Sequence, residues 1–443
     1  MNSASDTVQR LVELVGDRAQ AEASVQTGRT ELTRFANSFI HQNVGEDYVN
    51  VRLRVASEGR VAAVTGNHAS EEALAQLVDD ALTVAATQPV DPDWPGVAPS
   101  QDLSATDFSD PSTVSATPGQ RGEIVSDFVG AGSGYLAAGY CDTDWFDDGF
   151  ANSAGLRVSS RGSRATIDGI HQSDESAGMG HQTSAALADL NGAVIGSLAA
   201  DRARQGLDAF DLKPGEYEVV LGPEAVATTA FFLGFYGLNG KAHEEGRSFA
   251  ELGATQFDEQ ITLTDDPQGE GALATAFDVE GTQKVHRHLI KGGVTEMLVH
   301  DRRSAAKAGE KSTGHGWSNS ASFGPVATHL VVNPGSDSVD DLIAAVDRGI
   351  YVASFNYCRI LDPKTQVVTG LTRNGTFMIE NGAITGAVTN LRFTQSFLKA
   401  WESGNVLGVA DDLRYADCEF GAGFVRSPSM RLASWKFTGG ASG

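Results

Sequence analysis

Cysteine is scarce in this chain. The 443 residues contain three cysteines, Cys141, Cys358 and Cys418, which are far apart in the sequence. They are too few and too scattered for a disulfide framework or a paired-cysteine metal site, which favours a reducing compartment. The first residues have neither the basic nor the apolar segment of a signal peptide, and no apolar run is long enough to span a membrane. We therefore expect a soluble, cytoplasmic protein with no membrane partner.

Positive charge is scarce as well. The chain has 33 Lys and Arg against 57 Asp and Glu, a formal net charge of −24, and no lysine before Lys213. So acidic a surface is poorly suited to follow a phosphate backbone, and we expect no nucleic-acid partner. The apolar content of 41% is that of a globular protein, and the length fits two or three domains.

Residues 1–212 have the patterns of helices packed on an antiparallel sheet. Residues 49–55 alternate strictly, with Val51, Leu53 and Val55 on one face and Arg52 and Arg54 on the other, which predicts a strand. Residues 61–65 are predicted to be the hairpin partner of this strand. Helices are predicted at 5–18, 70–86 and 187–204, and further strands at 134–141, 155–160 and 164–170. Residues 89–118 hold six of the thirteen prolines, which predicts a long loop or linker and not a packed element.

Residues 213–443 form the second predicted domain, with Pro214-Gly215 at the boundary. Most of its patterns are those of strands and hairpins, found at 213–221, 260–266, 288–299, 328–334 and 375–388. Two helices are predicted, at 225–237 and at 338–349, the second with a capping box of Ser338 and Asp341. The predicted fold class is α+β: an N-terminal α/β domain with an antiparallel sheet, and a C-terminal β-rich, barrel-like domain with few helices.

His243-Glu244 is the first half of a zinc-protease signature. Such a helix needs a second histidine four residues later, because positions i and i+4 share one face and can bind one ion. Arg247 occupies that position here, and a guanidinium is no ligand. An ordinary surface histidine is the simpler interpretation.

Other candidate residues allow a functional and a structural interpretation. His286 and His288 share a strand face and could bind a metal with His243 or Cys358, although solvated strand histidines are the simpler interpretation. Cys358 lacks any nucleophile signature. Two carboxylate pairs, Asp265 with Asp266 and Asp278 with Glu280, could serve acid–base chemistry, but capped turns and exposed acids explain them more simply. The glycine-rich stretch 312–317 is no phosphate loop and instead predicts a tight turn that lines a groove.

Seven motifs together resemble the TldD/PmbA family of peptidase subunits, over essentially the whole chain. They are TRFANSFIHQN (33–43), KPGEYEVVLGPEAV (213–226), GRSFAELG (246–253), ITLTDDP (261–267), FDVEGTQKVHRHLIKGGV (277–294), KSTGHGW (311–317) and GTFMIENGAITGAV (375–388). The resemblance implies one of two kinds of subunit. TldD-type chains bind zinc through a His-Glu-three residues-His helix and a late cysteine, whereas TldE/PmbA-type chains keep the fold without the metal site.

This chain resembles the second kind. The ligand helix of the family corresponds to residues 224–237 here, and its two histidines would fall near Phe231 and Tyr236. Cys418 lies close to the place of the zinc cysteine. The resemblance therefore implies no catalytic residue, no metal ligand and no cofactor in this chain, with zinc in a TldD-type partner. A peptide groove could be lined by Phe231, Phe235 and Tyr236, and by Thr313 and His315.

Three functions follow as hypotheses. The first is a TldE/PmbA-like subunit of a metallopeptidase complex that cleaves small or unfolded peptides, paired with a TldD-type zinc subunit. The second is a self-sufficient hydrolase, which could be a homodimer. It would have a non-standard metal site around His243, His286, His288 or Cys418. The third is a peptide-binding protein without proteolytic activity, because function belongs to the site and not to the fold.

Overall fold

The structure is a computed structural model that describes residues 3–440. Its N-terminal half is one sheet with helices on one side. The elements are α1 Ala4–Val15, β1 Gln20–Ala36, β2 Phe39–Ser57, β3 Arg60–Gly66, α2 Glu71–Thr87, β4 Thr106–Asp107, α3 Pro111–Val114, α4 Pro118–Ala131, β5 Leu136–Asn152, β6 Arg157–Gln172, β7 Ala177–Ser184 and α5 Gly192–Gln205. The strand order is β3-β2-β1-β5-β6-β4, with β7 also paired to β6. All pairs are antiparallel except β4 with β6, so the predicted antiparallel sheet is confirmed.

The helices form where caps and apolar stripes coincide. Ser70 caps α2 by accepting a hydrogen bond from the Ala73 amide, and Leu74 and Val78 are buried, which confirms the helix predicted at 70–86. The sequence analysis missed α4, whose apolar stripe is weak. This helix has a full capping box with Thr117 as the N-cap residue.

The two faces of the N-terminal sheet have different neighbours. On β1, Ala21, Ala23 and Val25 are buried with the apolar residues of α1 and α2. Side chains alternate along a strand, so Glu22 and Ser24 lie on the opposite face. That second face is polar, and the C-terminal domain covers it.

The proline-rich segment 89–118 is irregular over most of its length, but it is packed, contrary to the prediction. Ala98 is fully buried. The Arg303 guanidinium forms an ion pair with Asp91, and the Arg302 guanidinium donates to the Val97 carbonyl, 3.0 Å away. The segment therefore connects the N-terminal sheet to a helix of the C-terminal domain, where it finds the hydrogen-bond partners that irregular backbone needs.

The C-terminal domain contains a closed barrel and a second sheet. Its elements are β8 Gly215–Leu221, α6 Pro223–Phe232, α7 Gly240–Glu244, β9 Leu263–Asp265, β10 Arg287–Lys291, β11 Val294–Thr295, α8 Arg302–Ala308, α9 Ser320–Phe323, β12 Leu330–Val332, α10 Val339–Ala344, β13 Arg348–Asp362, β14 Val367–Glu380, β15 Ala383–Ala387, β16 Leu391–Ser396, α11 Phe397–Ala400, β17 Val406–Val409, β18 Arg414–Ala416, β19 Val425–Ser427 and β20 Met430–Gly440. Five strands pair in the order β13-β8-β20-β16-β14, and pairing of β13 with β14 closes the ring. The second sheet has the order β11-β10-β9-β12-β19-β18. The α+β class and the barrel-like C-terminal domain are confirmed.

Turn chemistry fixes two hairpins of this domain. Gly292 and Gly293 have φ of 53° and 81°, and Asn381 and Gly382 have φ of 51° and 77°, as two-residue hairpin turns require. The capping box at Ser338 is confirmed, but α10 ends at Ala344 because β13 begins at Arg348. None of the helices within residues 3–440 combines the length and apolar character that a membrane crossing needs.

Candidate functional site

Helix α6 lies in the centre of the C-terminal core. All ten residues of α6 are buried, and the helix packs against β13 of the barrel and β19 of the second sheet. It continues into a π-helical turn, Leu233–Gly237. This turn leaves Phe235 and Tyr236 half-buried at the protein surface.

An aromatic surface surrounds the end of this helix. We define it by Phe231, Phe235, Tyr236, Trp317, Phe323 and Phe420. The Phe231 ring stacks on that of Phe420, with 4.8 Å between centroids, and the Phe235 ring lies 5.9 Å from that of Phe323. Phe420 and Phe323 are 47% and 52% exposed. Three of the five predicted groove residues therefore lie together, beside aromatic rings that are open to solvent.

Cys418 is two residues from Phe420 and belongs to the same apolar core as Phe231. Its thiol donates to the Gly421 carbonyl, with 3.4 Å between sulfur and oxygen. Burial raises the pKa of this thiol to about 12, so it stays protonated at neutral pH. Because a metal ligand must be a thiolate, this environment does not favour metal binding.

The other histidine and cysteine candidates are spread over the domain. His243 is exposed on α7, and the neighbouring Glu244 pairs with Lys307. The His286 and His288 rings are 5.0 Å apart, as the strand pattern predicted, and His286 is largely solvated. Within residues 3–440, no group of three or more His, Cys, Asp or Glu side chains is arranged to hold a metal ion.

Cys358 has the environment of a structural cysteine. Its side chain is 1% exposed. Burial, followed by the Glu419 carboxylate, raises the pKa of the thiol well above its ordinary value. A reactive thiolate needs the opposite field, so Cys358 is unsuited to act as a nucleophile.

A cavity of about 840 Å³ lies between the two domains. Its N-terminal wall is the polar face of the sheet, and its C-terminal wall consists of residues 275–284 and 316–328. The lining residues are Ser24, Val25, Gln26, Asn50, Val51, Arg52, Thr65, Gly66, Asn67, Asp148, Gly149, Thr275, Phe277, Asp278, Val279, Lys284, Gly316, Trp317, Ser318, Val326 and Thr328. Trp317 belongs both to this cavity and to the aromatic surface.

The cavity holds two carboxyl groups with raised pKa values. Burial and then the nearby Glu280 carboxylate raise the pKa of Asp278 to about 7, although three backbone amides donate to it. Burial also raises the pKa of Asp148 to about 7, against the opposing hydrogen bond from Gln26. Both groups are therefore partly protonated near neutral pH.

A buried hydrogen-bonded cluster lies behind the C-terminal wall. The Asp265 carboxylate is 3.0 Å from Nε2 of His315 and accepts a hydrogen bond from the His329 amide, 2.9 Å away. Burial raises the pKa of Asp265, but His315 and then Lys284 outweigh it and hold that pKa far below its usual range. Burial and then Lys284 lower the pKa of His329 to about 4, so its imidazole is neutral at neutral pH.

The two remaining groove candidates belong to this cluster. Thr313 and His315 are 5% and 1% exposed, and Thr313 Oγ1 lies 2.8 Å from Nδ1 of His315. The predicted tight turn does line a cavity, but through Gly316 and Trp317. A direct peptide contact by Thr313 or His315 stays a prediction.

Three charged side chains form a buried ion triad in the contact between the two domains. Arg54 of β2 donates through Nε to Glu22, 2.6 Å away, and through Nη2 to Glu280, 3.0 Å away. The Glu22 and Glu280 side chains are 1% and 6% exposed. The interpretation of Asp278 and Glu280 as exposed acids was therefore wrong, because the N-terminal sheet covers both, although Asp278 does cap its turn.

The sequence analysis missed Lys284 and Asp148 as cavity residues. It did place Arg52 on the polar face of its strand, which is the face that borders the cavity. The alternation of residues 49–55 was the available signal, and only the fold shows what covers that face.

Comparisons with known proteins agree with this architecture. Residues 214–439 match the model of the PmbA/TldA metallopeptidase C-terminal domain, which is about half of the chain. The "Metalloprotease TldD homolog" of Buchnera aphidicola is 28% identical over 215 residues, which are 47% of this chain and 43% of that protein. A "Metalloprotease" of Methanothermobacter thermautotrophicus is 26% identical over 229 residues, 50% of this chain and 48% of that protein. The aligned part thus spans less than half the length of these curated relatives.

The whole fold is shared with solved structures. TldE from Thermococcus kodakarensis superimposes with a TM-score of 0.86 at 18% identity, covering 98% of this chain and 99% of that chain. A putative modulator of a DNA gyrase from Thermotoga maritima gives a TM-score of 0.82 at 17% identity, with coverage of 98% and 99%. At this identity the likeness shows the fold alone. The match of the C-terminal domain supplies the family, and the chain belongs to the TldD/PmbA family of metallopeptidases.

Proposed function

We propose that this chain is a TldE/PmbA-like subunit of a TldD/TldE-type metallopeptidase and carries no catalytic zinc of its own. A TldD-type partner would bind the zinc, and the pair would cleave small or unfolded peptides. Zinc in that partner would activate the water that attacks the peptide bond. The three cysteines are free and buried, which fits a reducing compartment such as the cytoplasm.

The observation that carries the proposal is the chemistry at three positions. By the resemblance, the two histidines and the cysteine of the family's zinc-binding chains would fall near Phe231, Tyr236 and the protonated thiol of Cys418. Phe231 stacks against Phe420, so an aromatic ring fills the space beside the cysteine. The phenyl ring of Phe231 has no lone pair for a metal. Burial raises the pKa of the Tyr236 phenol and raises that of the Cys418 thiol to about 12, which disfavours the deprotonated forms that would bind zinc.

The aromatic surface supports a role in holding peptides. Phe420 and Phe323 expose large apolar rings beside the end of α6, which in a zinc-bearing relative would lie at the metal. Exposed clusters of aromatic side chains often mark interaction sites. An unfolded peptide with apolar side chains would be held there, against the partner's active site.

The first test is the zinc content of the isolated chain, followed by assembly. We expect elemental mass spectrometry to find much less than one zinc per chain. We also expect the chain to co-elute with a TldD-type protein in size-exclusion chromatography, and we expect only the mixture of the two proteins to cleave peptides. About one tightly bound zinc per chain, or cleavage by the isolated chain, would establish a self-sufficient hydrolase instead. Peptide binding without assembly or cleavage would establish a binding protein, and a stable self-pair would replace the heterodimer by a homodimer.

A matched pair of variants tests the aromatic surface. Phe420→Ser removes an exposed ring from it, whereas Phe39→Ser removes a ring that is 58% exposed at the far hairpin of β1 and β2. We expect Phe420→Ser to raise the KM of the assembled pair for an unfolded peptide several-fold, and Phe39→Ser to leave it unchanged. Equal effects of the two substitutions would remove the aromatic surface from the proposal.

A further inference from the structure

The interdomain cavity contains a lysine without a partner. Lys284 is 6% exposed, yet its ammonium makes no hydrogen bond and no ion pair within 4.0 Å to any residue of the described part of the chain. The Nζ atom of Lys284 is not fully shielded from solvent, unlike the buried polar atoms that lack a partner elsewhere in the described chain. Its Nζ therefore borders the open space of the cavity. Asp265 and Asp278 act on this ammonium electrostatically, but neither carboxylate forms an ion pair with it within the described residues. A buried ammonium without a direct hydrogen-bond partner is a costly arrangement.

A second cation lines the same cavity from the opposite wall. Arg52 of β2 lies between Ser24 of β1 and Thr65 of β3 in the sheet register, and both of these neighbours are neutral. Its guanidinium has no ion-pair partner among residues 3–440, because the nearby Glu22 and Glu280 are both engaged by Arg54. Burial, and then the charge of Arg54, lower the pKa of Arg52, although its charge persists at any ordinary pH.

The two carboxyl groups of the cavity form no ion pair with Lys284 or Arg52 in the part of the chain that the structure describes. Asp278 is occupied by the amides of Gly316, Glu280 and Thr282, and its pKa near 7 leaves it partly neutral. The pKa of Asp148 is also raised to about 7, so this carboxyl is partly neutral as well. Asp278 is therefore satisfied within the protein, whereas neither cation has a direct hydrogen-bond partner among residues 3–440. A ligand that complements this cavity carries negative charge.

The other residues that line the cavity indicate the chemistry of the rest of such a ligand. Phe277, Trp317 and Val326 supply apolar surface beside Lys284. A volume of about 840 Å³ is in the range of small-molecule sites. An inorganic anion would leave this apolar wall unused. The lining fits a carboxylate attached to an apolar body.

We propose that this cavity binds the C-terminal carboxylate of a short peptide, with Lys284 and Arg52 on the carboxylate and Trp317 and Phe277 on the last side chain. The carboxylate and its apolar neighbour are inferred from the cavity, whereas the peptide as their source rests on the proposed function. The site lies in this chain alone and needs neither the partner nor its zinc. Arginine and lysine are the side chains that recognise carboxylates by charge-assisted hydrogen bonds.

The test is direct binding of a defined probe to the isolated full chain. Isothermal titration calorimetry at low salt compares N-acetyl-alanyl-phenylalanine as free acid with the same molecule as C-terminal amide. A charge-assisted hydrogen bond is worth about a tenfold to hundredfold change in Kd, so we expect the amide to bind at least about tenfold more weakly. Inorganic phosphate serves as the anion without an apolar body, and we expect it not to displace the acid.

Variants then assign the contact to residues. We expect Lys284→Met and Arg52→Gln each to raise the Kd for the acid by about tenfold or more, and to leave the weak binding of the amide unchanged. Lys291→Met removes an exposed lysine from the hairpin of β10 and β11 and should bind like the wild type. Circular dichroism and the urea midpoint check that each variant is folded. If Lys284→Met does not fold, Arg52→Gln and the acid–amide comparison on the wild type decide.

Four results would overturn the proposal. They are equal binding of acid and amide, unchanged affinity in the folded variants, the same loss in Lys291→Met, and displacement of the acid by phosphate, which would make this a general anion site. None of these results touches the metal or assembly measurements of the proposed function. Conversely, carboxylate binding by a chain that never assembles with a TldD-type protein would keep the cavity and refute the subunit role.

Discussion

The ion triad between the domains gives a sharp prediction for Arg54→Met. The substitution keeps most of the side-chain volume but removes the cation from between Glu22 and Glu280. Two carboxylates that are almost fully buried then share one site without a counter-charge. Breaking a buried ion pair by removing one partner costs about 3 to 5 kcal/mol of unfolding free energy. Loss of the contact with the Trp94 ring, 4.8 Å from the guanidinium, adds to this cost.

The cost also depends on pH with a definite sign. Burial already raises the pKa of Glu22 with Arg54 in place, and removal of the guanidinium raises it further. A carboxyl whose pKa is higher in the folded than in the unfolded state is stabilising below its unfolded pKa, and that stability is lost as pH rises through the folded pKa. The difference between wild type and variant should therefore be largest above neutral pH and shrink as pH falls towards that of an ordinary glutamate.

Urea unfolding followed by circular dichroism and tryptophan fluorescence measures both effects, at about pH 8 and about pH 5. Arg348→Met is the matched control, because Arg348 and Glu380 form an exposed pair 3.8 Å apart. Exposed pairs contribute about 0 to 1 kcal/mol. The reasoning is refuted if the two variants lose the same free energy at pH 8, or if the cost of Arg54→Met grows as the pH falls.

Two further predictions use the other perturbed groups. The pKa of Asp148 is raised to about 7, so its stability contribution is present below pH 4 and lost as pH rises through 7. Asp148→Asn should therefore show a smaller fall in urea midpoint between about pH 5 and pH 8 than the wild type, and an identical fall would contradict the raised pKa. Burial raises the pKa of Cys141 and of Cys418 to about 12 and that of Cys358 higher still. Mass spectrometry after iodoacetamide treatment at about pH 8 should find all three cysteines unmodified in the native protein and modified in urea, and fast labelling of native Cys418 would contradict the closed environment beside Phe420.

Local patterns predicted the elements that local physics determines. The strand at 49–55 was predictable because period-two alternation and a turn at 58–60 agree, and α2 because its cap and apolar stripe agree. The helix α4 was missed because only Val125 and Phe128 among its apolar residues are buried, so its amphipathic signal is weak. Its capping box was the signal that could have found it.

The candidate site was harder to predict because its walls are distant in sequence. Alternation showed that Arg52 and Arg54 share a face, but it does not tell whether water or another domain covers that face. Asp278 and Glu280 were expected in exposed turns, but a sheet more than two hundred residues earlier in the chain lies against them. The packing of segment 89–118 was not predicted for the same reason, because its partners lie on α8 and its own sequence has no hydrophobic periodicity.

Barrel closure has a consequence for synthesis on the ribosome. Strand β8 ends at Leu221, but one of its two neighbours is β20, which begins at Met430. At about 5 to 20 residues per second, the ribosome needs about 10 to 40 s to make the chain between them. During that interval the N-terminal sheet is complete and free to fold, whereas β8 has an open edge that can pair with other chains. A nascent chain of this length should therefore be a preferred substrate for chaperones until its last strand has left the exit tunnel.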